Sequence, residues 1–370
     1  MRATRRRPAA IAGVGALSLI VVVAACTLLS GAGGANTAGA TPGQSSAASD
    51  STFGDIGLAS GLPLGSGTAT SAEPSASAMA TAPVAATATP RPPTPRPTAK
   101  PAPCGILPAS NVWNKPITKL SVASNSAAMI DAIGLDSVLH PDFDAIGDGI
   151  PYNVVTSSTA TYKVKFQYAG ESDAGPYPIP SSPKIEKGSD RHLLSIDLSQ
   201  CKLWELYDAR KSGSSWTAGS GAVFNLRSNN LRPAGWTSAD AAGLPIYPGL
   251  VRYAEVAAGS INHALRFTAP DTCGYIYPAR HLTAATCSNL PPMGLRVRLK
   301  ASVDISGFGP HARVVLTALK RYGMILADNG SPWYVSGAPD SRWNDDEMHK
   351  LQTLTGADFE VVNTSSLRNG

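Results

Sequence analysis

A mainly β domain, most simply a two-sheet β-sandwich with a few short helices, is the fold class that the 370-residue sequence predicts for its 104–370 stretch. Three observations carry that expectation. Apolar and polar residues alternate over several short runs, the period of a strand and not of a helix. Gly, Pro, Asn and Ser crowd the connections between those runs. Helical periodicity is confined to three places, one of them set among strands, so an α+β arrangement is the alternative.

Taken in order, the first helix is expected over 124–133. Over 162–168, Tyr162, Val164, Phe166 and Tyr168 interleave with Lys163, Lys165 and Gln167, which predicts a strand with one wet face. The stretches 192–198, 202–207, 263–268 and 275–277 are further strand candidates by β-branched and aromatic content. Leu295, Val297 and Leu299 alternate with Arg296, Arg298 and Lys300, predicting a strand whose basic side is solvated. A helix over 310–322 sets Ala312, Val315, Leu319 and Tyr322 on one stripe and stops at Gly323. The runs 324–327 and 333–335 flank Asp328-Asn329-Gly330-Ser331, which predicts a hairpin because Asn-Gly tolerates positive φ. A last helix is expected over 344–354, ending before Gly356.

Ahead of this domain the sequence carries an address. Arg2, Arg5, Arg6 and Arg7 precede an apolar run over 11–25 that ends in Val23-Ala24-Ala25-Cys26, the layout of a secretory signal with small residues at its end. It resembles a bacterial lipobox, which implies removal of 1–25, lipid on Cys26, and a lipoprotein held at the extracellular face of the cell membrane or in the cell wall. The alternative is an uncleaved helix over 11–29, close to the roughly 20 residues a membrane span needs. Residues 26–103 are rich in Ala, Thr, Ser, Gly and Pro and close in TPRPPTPRP (89–97). Such a composition cannot bury enough apolar surface to offset chain entropy, so it reads as a disordered tether. The 104–370 stretch shows no internal repeat and is long enough to bury a sizeable core as one domain.

Charge and cysteines narrow the function. The formal charge is +5, yet four of the arginines lie in the signal, and Arg91, Arg96 and Lys100 lie in the tether against Asp50, Asp55 and Glu73. The remainder is within one charge of neutral, which excludes a nucleic-acid partner that would need a basic footprint. Cys104, Cys201, Cys273 and Cys287 are an even number in an exported domain with no closely spaced pair, so disulfides are favoured over zinc. Cys273 with Cys287 is the natural short loop, which leaves Cys104 to Cys201. No cofactor or metal is expected. Asp142, Asp144 and Asp148 are spaced like the start of a calcium loop but lack its closing Glu, so they read as turn chemistry. Asp190-Arg191-His192 reads as local pairing at a strand border, and no Gly-x-Ser-x-Gly surrounds any serine.

The segments NVWNKPI (111–117), GWTSADAAGLP (235–245), HALRFT (263–268) and LKRYGMILADNG (319–330) are similar to those of a family of secreted bacterial proteins of undetermined function. The resemblance spans nearly the whole domain and implies one integral unit. It brings no activity with it.

Two constellations suit chemistry on a polysaccharide or cell-wall glycan. Glu205, beside Trp204 and Tyr207, and Asp240, in the loop after Trp236, are the carboxylate pair expected for glycoside hydrolysis, with Trp236 as a sugar platform. His263, Arg266, Tyr277, Arg280 and His281 form a polar set that suits an anionic sugar, with Arg neutralising a uronate while His or Tyr moves the adjacent proton. Against these stand the plainer expectations that His263 is a core histidine and that the acids form turns. Hydrolysis is favoured over elimination, and the alternative from another class is a non-catalytic glycan-binding or adhesion module.

Overall fold

The computed structural model describes residues 104–285, 287 and 289–369, so the signal, Cys26 and the tether lie outside the described residues. The described chain is mainly β, with two larger and two smaller sheets and short helices. The larger sheet runs in the order β1 (His140–Asp142), β14 (Tyr334–Ser336), β11 (Leu265–Ala269), β13 (Met324–Asn329), β12 (Arg296–Leu299) and β15 (Phe359–Val361). Its pairs are parallel at β1 with β14 and at β11 with β13, and antiparallel elsewhere. The second sheet runs β10 (Ser220–Asn225), β7 (Lys202–Tyr207), β6 (Leu193–Asp197) and β2 (Tyr152–Val154). The small sheets pair β3 (Thr161–Tyr162) with β5 (Tyr177–Pro178), and β4 (Val164–Phe166) with β9 (Ser215–Ala218) and β8 (Arg210–Ser212). Among the described residues four α-helices complete the frame: α1 (Ser126–Gly134), α2 (Tyr253–Ala257), α3 (Pro310–Arg321) and α4 (Asp345–His349).

Alternation along the second sheet builds two cores. Successive strand residues point to opposite faces. Leu194, Ile196 and Leu203 therefore join the main core with Leu265, Phe267, Val297 and Leu326. Leu193, Trp204 and Leu206 turn the other way, onto Val164, Tyr177, Ile179 and Trp216. This sheet is covered on both faces, and the small sheets supply the extra layer.

Several expectations are corrected here. The run over 162–168 is two strands, β3 and β4, in different sheets. The 275–277 stretch contributes only an isolated bridge from Tyr275 to Met293. The basic side of β12 is not solvated. Arg296 is 1% exposed, and its guanidinium donates to the carbonyls of Tyr322, Val112 and Lys115, while Arg298 donates to Glu360, Ile117 and Leu120. The 112–120 segment lies over these side chains, and burial pulls the Arg296 guanidinium down to about 9. The predicted hairpin is absent too, because β11 lies between β13 and β14. Their connection crosses β11 instead, with Gly330 N–H donating to Ala269 O and Trp333 N–H to Thr268 O. A Cβ at Gly330 would sit 3.1 Å from the Thr268 side chain, so a residue without one suits the crossing. Cys104–Cys201 and Cys273–Cys287 are both disulfide-bonded.

Candidate functional site

Strand register places a polar stripe across one face of the larger sheet. Asp142 on β1 is the partner of Ser336 on β14, and the pairing of Phe267 with Val335 brings Arg266 on β11 opposite Ser336. A β-bulge extends the stripe. Between β11 and β13 the register skips Ala327, so that Thr268 pairs with Asp328. Without that extra residue, Asp328 would share the face of Phe267; with it, Asp328 shares the face of Arg266. The Ala242 N–H, donating to Ala327 O at 3.0 Å, holds the bulged carbonyl and ties the 240–243 loop to the sheet.

Arg266, 3% exposed, is the hub. Its Nη1 donates to Ser336 Oγ at 2.6 Å, and its Nε and Nη2 donate to Asp240 Oδ2 at 3.3 and 3.1 Å. Asp328 Oδ2 lies 3.5 Å from Nη2. Burial pushes both the Asp240 and Asp328 carboxyls up, and the guanidinium between them pulls both down. The Arg266 guanidinium keeps its charge, and an ionised carboxylate against it offsets its burial. Asp240, which holds two of its N–H groups and the Ala242 N–H as well, is that carboxylate.

The second sheet contributes His192 and Glu205. His192 is 3% exposed, its Nδ1 lies 2.5 Å from Glu186 Oε2, and its Nε2 lies 2.8 Å from Ala239 O. A carbonyl and a carboxylate only accept, so both ring nitrogens donate and the ring is an imidazolium. The Glu186 hydrogen bond and charge outweigh burial and lift His192 to about 9; His192 in turn holds the Glu186 carboxyl below its usual range against burial. Asp142 behaves in the opposite way. Half-buried, it is raised to about 6 by desolvation first and by the nearby Glu186 charge second. Two carboxyls that sense each other thus have proton affinities pushed apart, the arrangement that suits one to give a proton and the other to stay ionised.

The structure brings together only part of the set expected from sequence. Asp240 and Arg266, read as members of competing sites, are one ion pair. Glu205 is fully buried; its carboxyl accepts from the Ile246 N–H at 3.0 Å and the Tyr247 N–H at 2.9 Å, and burial raises it to about 7. It anchors the turn Tyr247–Gly249 and is closed to solvent. Glu205 and Asp240 are both enclosed, so neither expected catalytic carboxyl faces solvent. His263 is a core histidine: Nδ1 donates to Ala264 O, and Nε2 lies 3.0 Å from Arg252 Nη2. Trp236, Arg280 and His281 gather elsewhere, around the 232–243 loop. Arg280 Nε donates to Arg232 O, His281 Nδ1 donates to Ala241 O, and the Arg232 guanidinium lies 5.5 Å from the Trp236 ring centroid. Tyr277 is half-buried, and burial raises its hydroxyl.

Asp142 and Asp328 on the stripe, with His192 and Glu186 beside it, complete the cluster; the settings of Asp142 and Asp328 suggested turns and that of His192 local pairing, and Glu186 was missed from sequence. His-Pro-Asp and Asp-Asn-Gly signal bends, and nothing local in a sequence tells which bends meet. Among the described residues no group of three or more His, Cys, Asp or Glu is placed to hold a metal ion. Comparison of the chain with family models, with curated proteins and with solved structures found no match.

Proposed function

We propose that the domain is a cell-surface polysaccharide hydrolase in which Asp142 gives the proton to the leaving oxygen and Glu186 acts as the ionised carboxylate. The observation that carries this reading is the opposed proton affinity of these two half-buried carboxyls, one raised to about 6 by burial and the other held ionised by His192. Glycoside hydrolysis needs such a pair. Elimination has less support, because Arg266 is engaged by Asp240, Ser336 and Asp328 and has no free edge for a uronate.

The test uses the full chain and a panel of plant, fungal and bacterial polysaccharides, with new reducing ends as the readout. Asp142→Asn and Glu186→Gln are expected to lower turnover by about 100-fold or more while leaving binding intact, since neither amide can serve as acid or base. Binding without products from the unaltered protein would replace hydrolysis with the glycan-binding module. The sequence-derived address belongs to the same reading: lipid on Cys26 holds the protein to the membrane while the domain reaches wall glycan. Cys26→Ser is expected to abolish incorporation of a labelled fatty acid and to release the protein. Retention of the variant at the membrane with 1–25 still attached would point to an uncleaved helix.

A further inference from the structure

A groove of about 900 Å³ is walled by the 145–154, 180–187 and 338–342 stretches and the start of α2. Ile185 and Lys187 line it, and Glu186, between them in sequence, turns its carboxylate onto the buried His192. Tyr152, Tyr253 and several prolines line it, together with Lys184, Lys187, Arg252 and Arg342 but only one acid, Asp340. These cations are not equivalent. Arg252 is buried and bonded to Glu255, and Lys187 faces Asp148 at 3.7 Å.

Arg342 is different. Its Nε and Nη2 donate to the two Asp340 oxygens at 2.7 and 2.6 Å, and its guanidinium lies 4.3 Å from the Tyr253 ring centroid. Carboxylate and ring together fix the plane of a side chain that is 60% exposed, and Nη1 has no acceptor among the described residues. A guanidinium fixed in this way with one edge open presents donors without first losing rotamer freedom. From the 180–187 wall comes Lys184, whose backbone is clamped by Asn153: its N–H donates to Asn153 Oδ1 at 2.8 Å and its carbonyl accepts from Nδ2 at 2.9 Å. The Lys184 ammonium is likewise without an acceptor among the described residues.

We infer that this groove binds the anionic groups of a sugar chain through Arg342 and Lys184, so that the polymer held along the 184–187 segment that carries Glu186 is an acidic polysaccharide. The inference rests on the reading of the Asp142 and Glu186 site as a hydrolase, and it concerns carboxylate, sulfate or phosphate groups alike, because a guanidinium donates to the oxygens of all three.

Its test measures binding and product release by the full chain with polygalacturonate, with the methyl ester of the same backbone, with a sulfated glycan and with a phosphodiester wall polymer. Expected is binding to at least one anionic polymer that weakens with salt and falls tenfold or more in both Arg342→Ala and Lys184→Ala, with unchanged melting temperatures. Which polymer binds identifies the acidic group. The inference is overturned by no binding to any anionic polymer, by equal affinity for the acid and its methyl ester where that backbone is the one bound, or by binding indifferent to both substitutions. Charge-dependent binding through Arg342 without products from any polymer removes the hydrolase reading and leaves the acidic ligand. Products from a neutral glycan, indifferent to Arg342, do the reverse.

Discussion

His192 sets the electrostatics of the candidate site, since two acceptors on its ring oblige it to be charged. Its folded value of about 9 lies above the 6.5 of a free imidazole. The stability it contributes is therefore complete below about pH 6.5 and is lost as pH rises through 9, a loss on the order of 3 kcal/mol. Denaturant melts between pH 6 and 9.5 should show that decline, and His192→Gln should flatten it; an unchanged slope would mean that the charge lies elsewhere. Asp142 works in the opposite sense. Raised to about 6, it carries its proton below that value, so if it serves as the proposed acid, turnover on a cleaved polysaccharide should fall as pH rises through about 6. A rate that stays level from pH 5 to 8 would argue against Asp142 as the acid. Little of this was legible in the sequence, where Asp142 and Asp328 have the neighbours of ordinary turn residues.

Elements decide where these residues meet. The strand over 296–299 and the helix over 310–321 could be read from periodicity, and the strands over 193–197 and 202–207 from their β-branched and aromatic content and their borders. Pairing could not be read. Alternation states that a strand has two faces and is silent about its neighbours, so the Asn-Gly signal suggested a hairpin where the chain inserts β11 instead. The bulge opposite Thr268 was equally hidden, although one residue there decides which face Asp328 occupies. Packing at the end of β14 gives a test at this scale. A Cβ on Gly337 would run into the Phe143 ring, next to Asp142. Gly337→Ala should cost about 1 to 3 kcal/mol through overpacking. Denaturant titration would show it, and an unchanged midpoint would mean that the ring has room to move.

Over the whole molecule, the mainly β class and the two cysteine pairs followed from composition and spacing, since both depend on counts more than on partners. Cys104–Cys201 spans 97 residues. Its loss through Cys104→Ser with Cys201→Ser should lower stability by about 2 to 5 kcal/mol, on the argument that the bond restricts the unfolded chain. Equal denaturation midpoints with and without the bond would refute that. The same bond has a mechanical side. Cys201 stands between β6 and β7, and β7 is hydrogen-bonded to strands on both sides. A pull on the chain ahead of Cys104 therefore does not peel the 105–120 segment away residue by residue. The load passes through sulfur into the middle of the second sheet, where two ladders resist together, and the residues lying over Arg296 and Arg298 stay slack while the domain is under tension.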